Sequence, residues 1–109
     1  MTNIFEANDD NFEEKAVEQS KEKPVIVDFY ADWCMPCKQL SPALEQVAKD
    51  YEDKLYLTKV NVDEAGNSAS SYGVSSIPTV KLMKDGEILD EFTGAMPEDD
   101  IKEWVDKNI

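Results

Sequence analysis

Cys34 and Cys37 are the only cysteines in a chain of 109 residues, and just Met35 and Pro36 separate them. Two thiols this close have three uses: exchange with other disulfides, a share in a metal site, or a permanent cross-link. Zinc asks for four ligands. A chain with no histidine and no further cysteine would have to draw on carboxylates or a second chain to supply them. A bridge closing so short a loop removes little entropy from the unfolded chain and makes a poor staple. Burial as two inert core residues is the remaining alternative, and the C-x-x-C spacing argues against it. Redox exchange is the chemistry these residues favour.

The elements that must position the pair lie between Pro24 and Pro42. Val25–Tyr30 is a run of β-branched and aromatic residues that predicts a buried strand. From residue 34 to about 51, Cys37, Leu40, Leu44, Val47, Ala48 and Tyr51 fall on one helical stripe. Lys38, Ser41, Glu45 and Lys49 fall largely outside it. Pro42 removes a bond to the Lys38 carbonyl and predicts a kink. The cysteines therefore sit where strand gives way to helix. There the unpaired N–H groups and the positive end of the helix dipole favour a thiolate. A spacing of three puts both sulfurs on one helix face, within disulfide reach. Cys34, at the exposed end, is expected to be the nucleophile, and Cys37, one turn further in, the resolving thiol.

Asp28 interrupts a strand that otherwise reads as core on both faces. A buried carboxylate without a partner is costly, so its pKa should be raised. The alternative is a solvated acid at a sheet edge.

The rest of the chain supplies a frame for these residues. Ile4 and Phe5 suggest a short first strand. Asp10 and Glu13 form a D-x-x-E capping pattern ahead of a helix with Phe12, Ala16 and Val17 on its apolar face. Residues 55–62 predict a third strand and 65–72 a short helix ending near Gly73. Residues 79–83 and 87–92 flank K-D-G, a hairpin turn. Pro97 opens a last helix with Glu98, Asp99 and Asp100 in its first turn and Ile101, Trp104, Val105 and Ile109 facing inward. The order βαβαβαββα predicts an α/β fold in one domain, residues 1–109, with helices on both faces of a mixed sheet.

Composition narrows the partners. The net charge is −13, and all 11 basic residues are lysine, which argues against nucleic acid or an anionic membrane. Without arginine there is no bidentate clamp for carboxylate or phosphate. The glycines are scattered as turn and cap residues rather than gathered in a phosphate loop, so neither cofactor nor metal is expected. No apolar run approaches membrane-spanning length, and M-T-N-I-F-E-A-N lacks the features of a signal peptide. A soluble, cytoplasmic protein is expected.

The motif W-C-M-P-C, preceded by V-D-F-Y-A-D and followed by K-Q-L-S-P, closely resembles the thioredoxin family. Lys59 in T-K-V-N-V-D, S-I-P-T at residues 76–79, K-D-G-E around Gly86 and F-T-G-A around Gly94 follow in family order and spacing. Three departures bear on partner choice and redox tuning. Met35 stands where most members have glycine, Tyr30 where many have a second tryptophan, and Ser75-Ser76 ahead of the Ile-Pro pair. The resemblance implies a five-stranded sheet of order 1-3-2-4-5 with four helices, its last two strands antiparallel to the rest. It implies that Asp28 exchanges a proton with Cys37, with Lys59 as its tuning partner. It also implies a cis Ile77–Pro78 bond packed on the disulfide. Trp33, Met35, Pro36, Ile77, Pro78, Gly94 and Ala95 would then form the client-binding rim. The implied activity is protein disulfide reduction by a monomer, with an NADPH- or ferredoxin-linked thioredoxin reductase restoring the dithiol. A disulfide isomerase or oxidase is the first alternative, weakened because Met35-Pro36 offers no histidine to stabilise a thiolate. A non-catalytic interaction module would not need Cys34, Cys37, Asp28 and Pro78 together, and a glutaredoxin would want a basic groove for glutathione.

Overall fold

The computed structural model describes residues 3–109. Five strands, β1 (Ile4–Ala7), β2 (Val25–Tyr30), β3 (Tyr56–Asn61), β4 (Thr79–Lys84) and β5 (Glu87–Thr93), form one sheet in the order β1-β3-β2-β4-β5. Four helical segments cover it. They are α1 (Glu13–Glu18, in π-helical turns that run into a 3-10 turn at Gln19–Lys21), α2 (Met35–Asp50), α3 (Gly66–Ser71) and α4 (Glu98–Asn108). This is the thioredoxin fold.

Strands β1, β3 and β2 run parallel, β4 is antiparallel to β2, and β5 is antiparallel to β4. Only β4 is therefore reversed. The expectation that both last strands oppose the rest is corrected for β5, because the two-residue turn at Asp85 (φ 54°) and Gly86 (φ 80°) reverses the chain once more. That turn is tied to the end of α1: Ser20 Oγ accepts from Gly86 N at 2.8 Å, and Ser20 O accepts from Asp85 N at 2.8 Å.

Alternation along β2 sorts its side chains between two cores. Val25, Val27 and Phe29 pack with Phe12, Ala16 and Ala69 on the α1/α3 face, and Ile26 packs with Leu40, Leu44 and Trp104 on the α2/α4 face. Asp28 shares the parity of Ile26 and so points to the α2/α4 side. Residues 25–29 of β2 are all buried, as a strand covered on both faces must be. Ile109, expected to face inward, lies beyond the last turn of α4 and is exposed.

One helix start is capped differently from the sequence expectation, and a second draws its cap from far along the chain. Asn8 Oδ1 accepts from the N–H groups of Asp10 and Asn11, and Asn11 Oδ1 accepts in return from Asn8 N at 2.7 Å. The reciprocal cap is thus Asn8 and Asn11 rather than Asp10 and Glu13. Asp10 offers only its N–H, because the turn begins two residues earlier. The short α3 has no cap of its own. Asp9 supplies one from 59 residues away, accepting from the Ser68 N–H and Oγ, both at 2.8 Å.

Candidate active site

Cys34 is the N-cap of α2, with an extended backbone (φ −93°, ψ 110°), and its Sγ accepts from Cys37 N at 3.2 Å. The sulfur thus meets one of the otherwise unpaired N–H groups of the first turn, where a thiolate is stabilised. Pro36 sits in that first turn, where the missing N–H costs no helical bond. Cys34 and Cys37 are joined as a disulfide, their Cα atoms 5.3 Å apart.

Exposure does not separate the two cysteines. Cys34 is 6% and Cys37 4% exposed, so the expectation that Cys34 stands at an exposed end is corrected. Their surroundings do separate them. Cys34 is flanked by Trp33 and Met35, 68% and 63% exposed, whereas Cys37 lines a narrow cleft that leads to Asp28. The cleft has a volume of about 160 Å³ and is also bounded by Tyr30, Ala31, Asp32, Lys38, Ser41 and Lys59. It has room for a few waters between the inner sulfur and the carboxylate.

Asp28 is buried, and its Oδ1 has no hydrogen-bond partner among the described residues. Burial pushes its pKa up from 3.8 to about 7, opposed by the positive charge of Lys59 and helped by the carboxylates of Glu6 and Glu45. Lys59 is the register partner of Asp28 on β3, but its ammonium turns to α2. It donates to Ser41 Oγ at 2.8 Å and to Glu45 Oε2 at 2.9 Å, and lies 5.3 Å from the Tyr30 ring centroid. That hydrogen bond holds the Glu45 carboxyl below its ordinary range. Tyr30 is pushed up by burial and by donating to Glu6 Oε1 at 3.0 Å.

The residues expected to form a rim divide into two groups. Trp33 and Ile77 line one cleft of about 210 Å³ with Val62, Val74, Ser75 and Ser76, and Ile77 packs against the buried cysteines. Trp33 is held there by its indole N–H, which donates to Asp63 Oδ2 at 3.0 Å. The Ile77–Pro78 bond is cis, and Pro78 O accepts from Gly94 N at 2.9 Å, which ties the end of β5 to this loop. Among the described residues the Ile77 backbone N–H and C=O carry no hydrogen bond. Met35 and Pro36 are exposed beside Cys34, and Ala95 is exposed after Gly94.

Ser41, Glu45, Glu6 and Asp63 were not singled out as site residues from the sequence. For two of them a signal was present: Cys37, Ser41 and Glu45 are spaced four apart and so share one line of α2. Reading them as outside the apolar stripe hid that they flank the strand bearing Lys59.

A disulfide at a helix N-terminus over a buried acid, within this fold, defines a thiol–disulfide oxidoreductase. Comparison with known proteins places it more narrowly. The family model described as Thioredoxin matches residues 3–107. The chain is 45% identical over 105 residues to a thioredoxin of Chlorobaculum thiosulfatiphilum, covering 96% of this chain and 95% of that protein. It is 43% identical over 101 residues to a thioredoxin of Rickettsia bellii, covering 93% and 94%. Against a thioredoxin of Buchnera aphidicola it is 40% identical over 109 residues, covering 100% and 99%. The chain belongs to the thioredoxin family and is a thioredoxin-like dithiol–disulfide reductase. Disulfide-bearing client proteins and a reductase are its general classes of partner. Among the described residues no helix is long and apolar enough to cross a membrane.

Proposed function

We propose that this chain works as a monomeric, single-domain cytoplasmic carrier of electron pairs, with Cys34 as nucleophile and Cys37 as resolving thiol. In the dithiol form the Cys34 thiolate attacks a client disulfide. One client sulfur leaves as thiolate, and a mixed disulfide forms. Asp28, through water in the cleft, takes the proton of Cys37. The Cys37 thiolate then attacks Cys34 Sγ, closing the internal disulfide and releasing the second client thiol. Two electrons pass to the client, and an NADPH- or ferredoxin-linked thioredoxin reductase returns them. Lys59 tunes Asp28 by its charge. Trp33, Met35, Pro36, Ile77, Pro78, Gly94 and Ala95 form the client rim, on which the unpaired backbone groups of Ile77 suit an extended segment.

The observation that carries this reading is the narrow cleft that Cys37 and the unpartnered Asp28 line together. Insulin reduction coupled to a thioredoxin reductase and NADPH tests it. The wild-type protein should sustain turnover. Cys34→Ser should abolish it, and Cys37→Ser should accumulate client mixed disulfides. In the reduced protein iodoacetamide should label Cys34 much faster than Cys37, and equal rates would contradict the assigned roles.

A further inference from the structure

Lys59 and Asp28 are opposed across neighbouring strands, which is where an ion pair would be expected. The ammonium is instead held by α2. Ser41 Oγ and Glu45 Oε2 both accept from it, and Ser41 Oγ lies 3.1 Å from Glu45 Oε2, closing a triangle. Lys59 is thus anchored on two oxygens while Asp28 Oδ1 has none. We propose that Ser41 and Glu45 are positioning residues that hold Lys59 away from Asp28, leaving the carboxylate beneath Cys37 free to take a proton. This rests on the reading of Asp28 given under the proposed function.

The physical reason is a competition for one cation. A carboxylate in direct contact with an ammonium is held ionised and is a poor proton acceptor, whereas one in apolar surroundings takes a proton readily. The groups around Asp28 can be named element by element. Glu6 faces it from β1, Lys59 from β3, Tyr30 from its own strand, and Cys37, Ser41 and Glu45 from α2. Asp32 and Lys38 stand on the cleft rim. Strand β4 offers Val80 as register partner, and α4 packs this face with apolar side chains. Lys59 is the one cation among the groups that shift Asp28, so where its ammonium points matters most. Glu45, kept ionised by Lys59, is a constant anchor across the neutral range.

The three variants act in distinguishable ways. Glu45→Gln removes a like charge and releases Lys59, and both changes make Asp28 harder to protonate. Ser41→Ala carries no charge and acts only by loosening Lys59. Lys59→Met removes the cation, so Asp28 should be easier to protonate, and Ser41→Ala should do nothing further in that background.

The experiment is NMR titration of the Asp28 carboxyl carbon in the oxidised protein, where no thiol titrates and no histidine interferes. Glu45→Gln should move the midpoint about one pH unit lower. Ser41→Ala should move it the same way by less, Glu45→Asp should restore much of the wild-type value, and Lys59→Met should raise it. The pH profile of single-turnover client release should follow these midpoints. Unchanged midpoints in Ser41→Ala and Glu45→Gln would overturn the proposal. So would a Glu45→Gln effect that persists in full with Lys59→Met, since Glu45 would then act by its own charge. Should Glu45→Gln fail to fold, Ser41→Ala alone and in the Lys59→Met background still decides. If Asp28→Asn leaves the release profile unchanged, the catalytic reading of Asp28 fails, while the titration still decides whether Lys59 is held off.

Discussion

Two charged side chains are buried in adjacent central strands of this sheet, and the fold treats them in opposite ways. Lys81 on β4 points to the α1/α3 face, where its ammonium meets Glu91, the cross-strand partner on β5. Its side chain is 7% exposed, but Glu91 is 51% exposed, so the pair reaches water at the sheet edge. Asp28 on β2 points to the other face, with one oxygen unpaired and the nearest lysine committed to α2. Strand β2 is third from either edge, and Asp28 opens on the cleft beneath Cys37. A buried charge that is satisfied and vented at an edge serves the structure. On the role proposed for Asp28, one that is left unsatisfied beneath a disulfide costs stability in exchange for chemistry.

This contrast can be broken by exchanging what each charge has. The largest effect should come from Asp28→Asn on catalysis, with client release at neutral pH slowed on the order of 10²-fold, the usual scale for a lost acid–base group. Lys81→Met should leave turnover unchanged, and stopped-flow reduction of a client disulfide would measure both. Next in size, Glu91→Gln should destabilise the fold by about 1–2 kcal/mol, because it strips the partner from a buried ammonium while half of the pair stays solvated. Urea denaturation would read this. Lys81→Met, which removes the charge along with the need for a partner, should fall within about 1 kcal/mol of wild type. Smallest of all, the melting temperature should rise from low salt to roughly 0.1 M as the surface self-repulsion of a −13 chain is screened. The rise should be equal in Asp28→Asn, since salt does not reach a buried carboxylate. A larger rise in the wild type would place Asp28 within reach of solvent ions.

The same two residues show how far the sequence could be read. Asp28 was visible because it breaks a run of apolar residues in a short strand, and alternation alone puts it on a face with Ile26. Lys81 was not visible, since T-V-K-L-M-K alternates in a way that a half-solvated strand would share. Its partner could not be counted from the turn either. The β4/β5 register shifts after Leu82, leaving Leu89 unopposed, and this bulge delivers Glu91 rather than Asp90 opposite Lys81. The strands and helices around the cysteines were legible from periodicity, because each buries a continuous face. The direction of β5 follows from its hairpin turn and the Asn8–Asn11 cap from neighbours three residues apart, so both were local signals left unread. The Asp9 cap on α3 and the hold of Ser41 and Glu45 on Lys59 depend on tertiary contacts that no local pattern records.

The central claim, that an under-satisfied carboxylate is kept beneath the disulfide, is tested most directly by the stability of oxidised wild type and Asp28→Asn across pH. Asp28 holds its proton in the folded state up to about pH 7 but loses it near pH 3.8 when unfolded. Its contribution is therefore complete in acid, declines as pH rises between those values, and stays lost above the higher one. The gap corresponds to roughly 4 kcal/mol. Asp28→Asn should accordingly match wild type near pH 4, become progressively more stable than it up to pH 7, and hold that advantage through pH 9. A variant that is less stable than wild type at pH 8, or whose difference from it does not change with pH, would contradict the account.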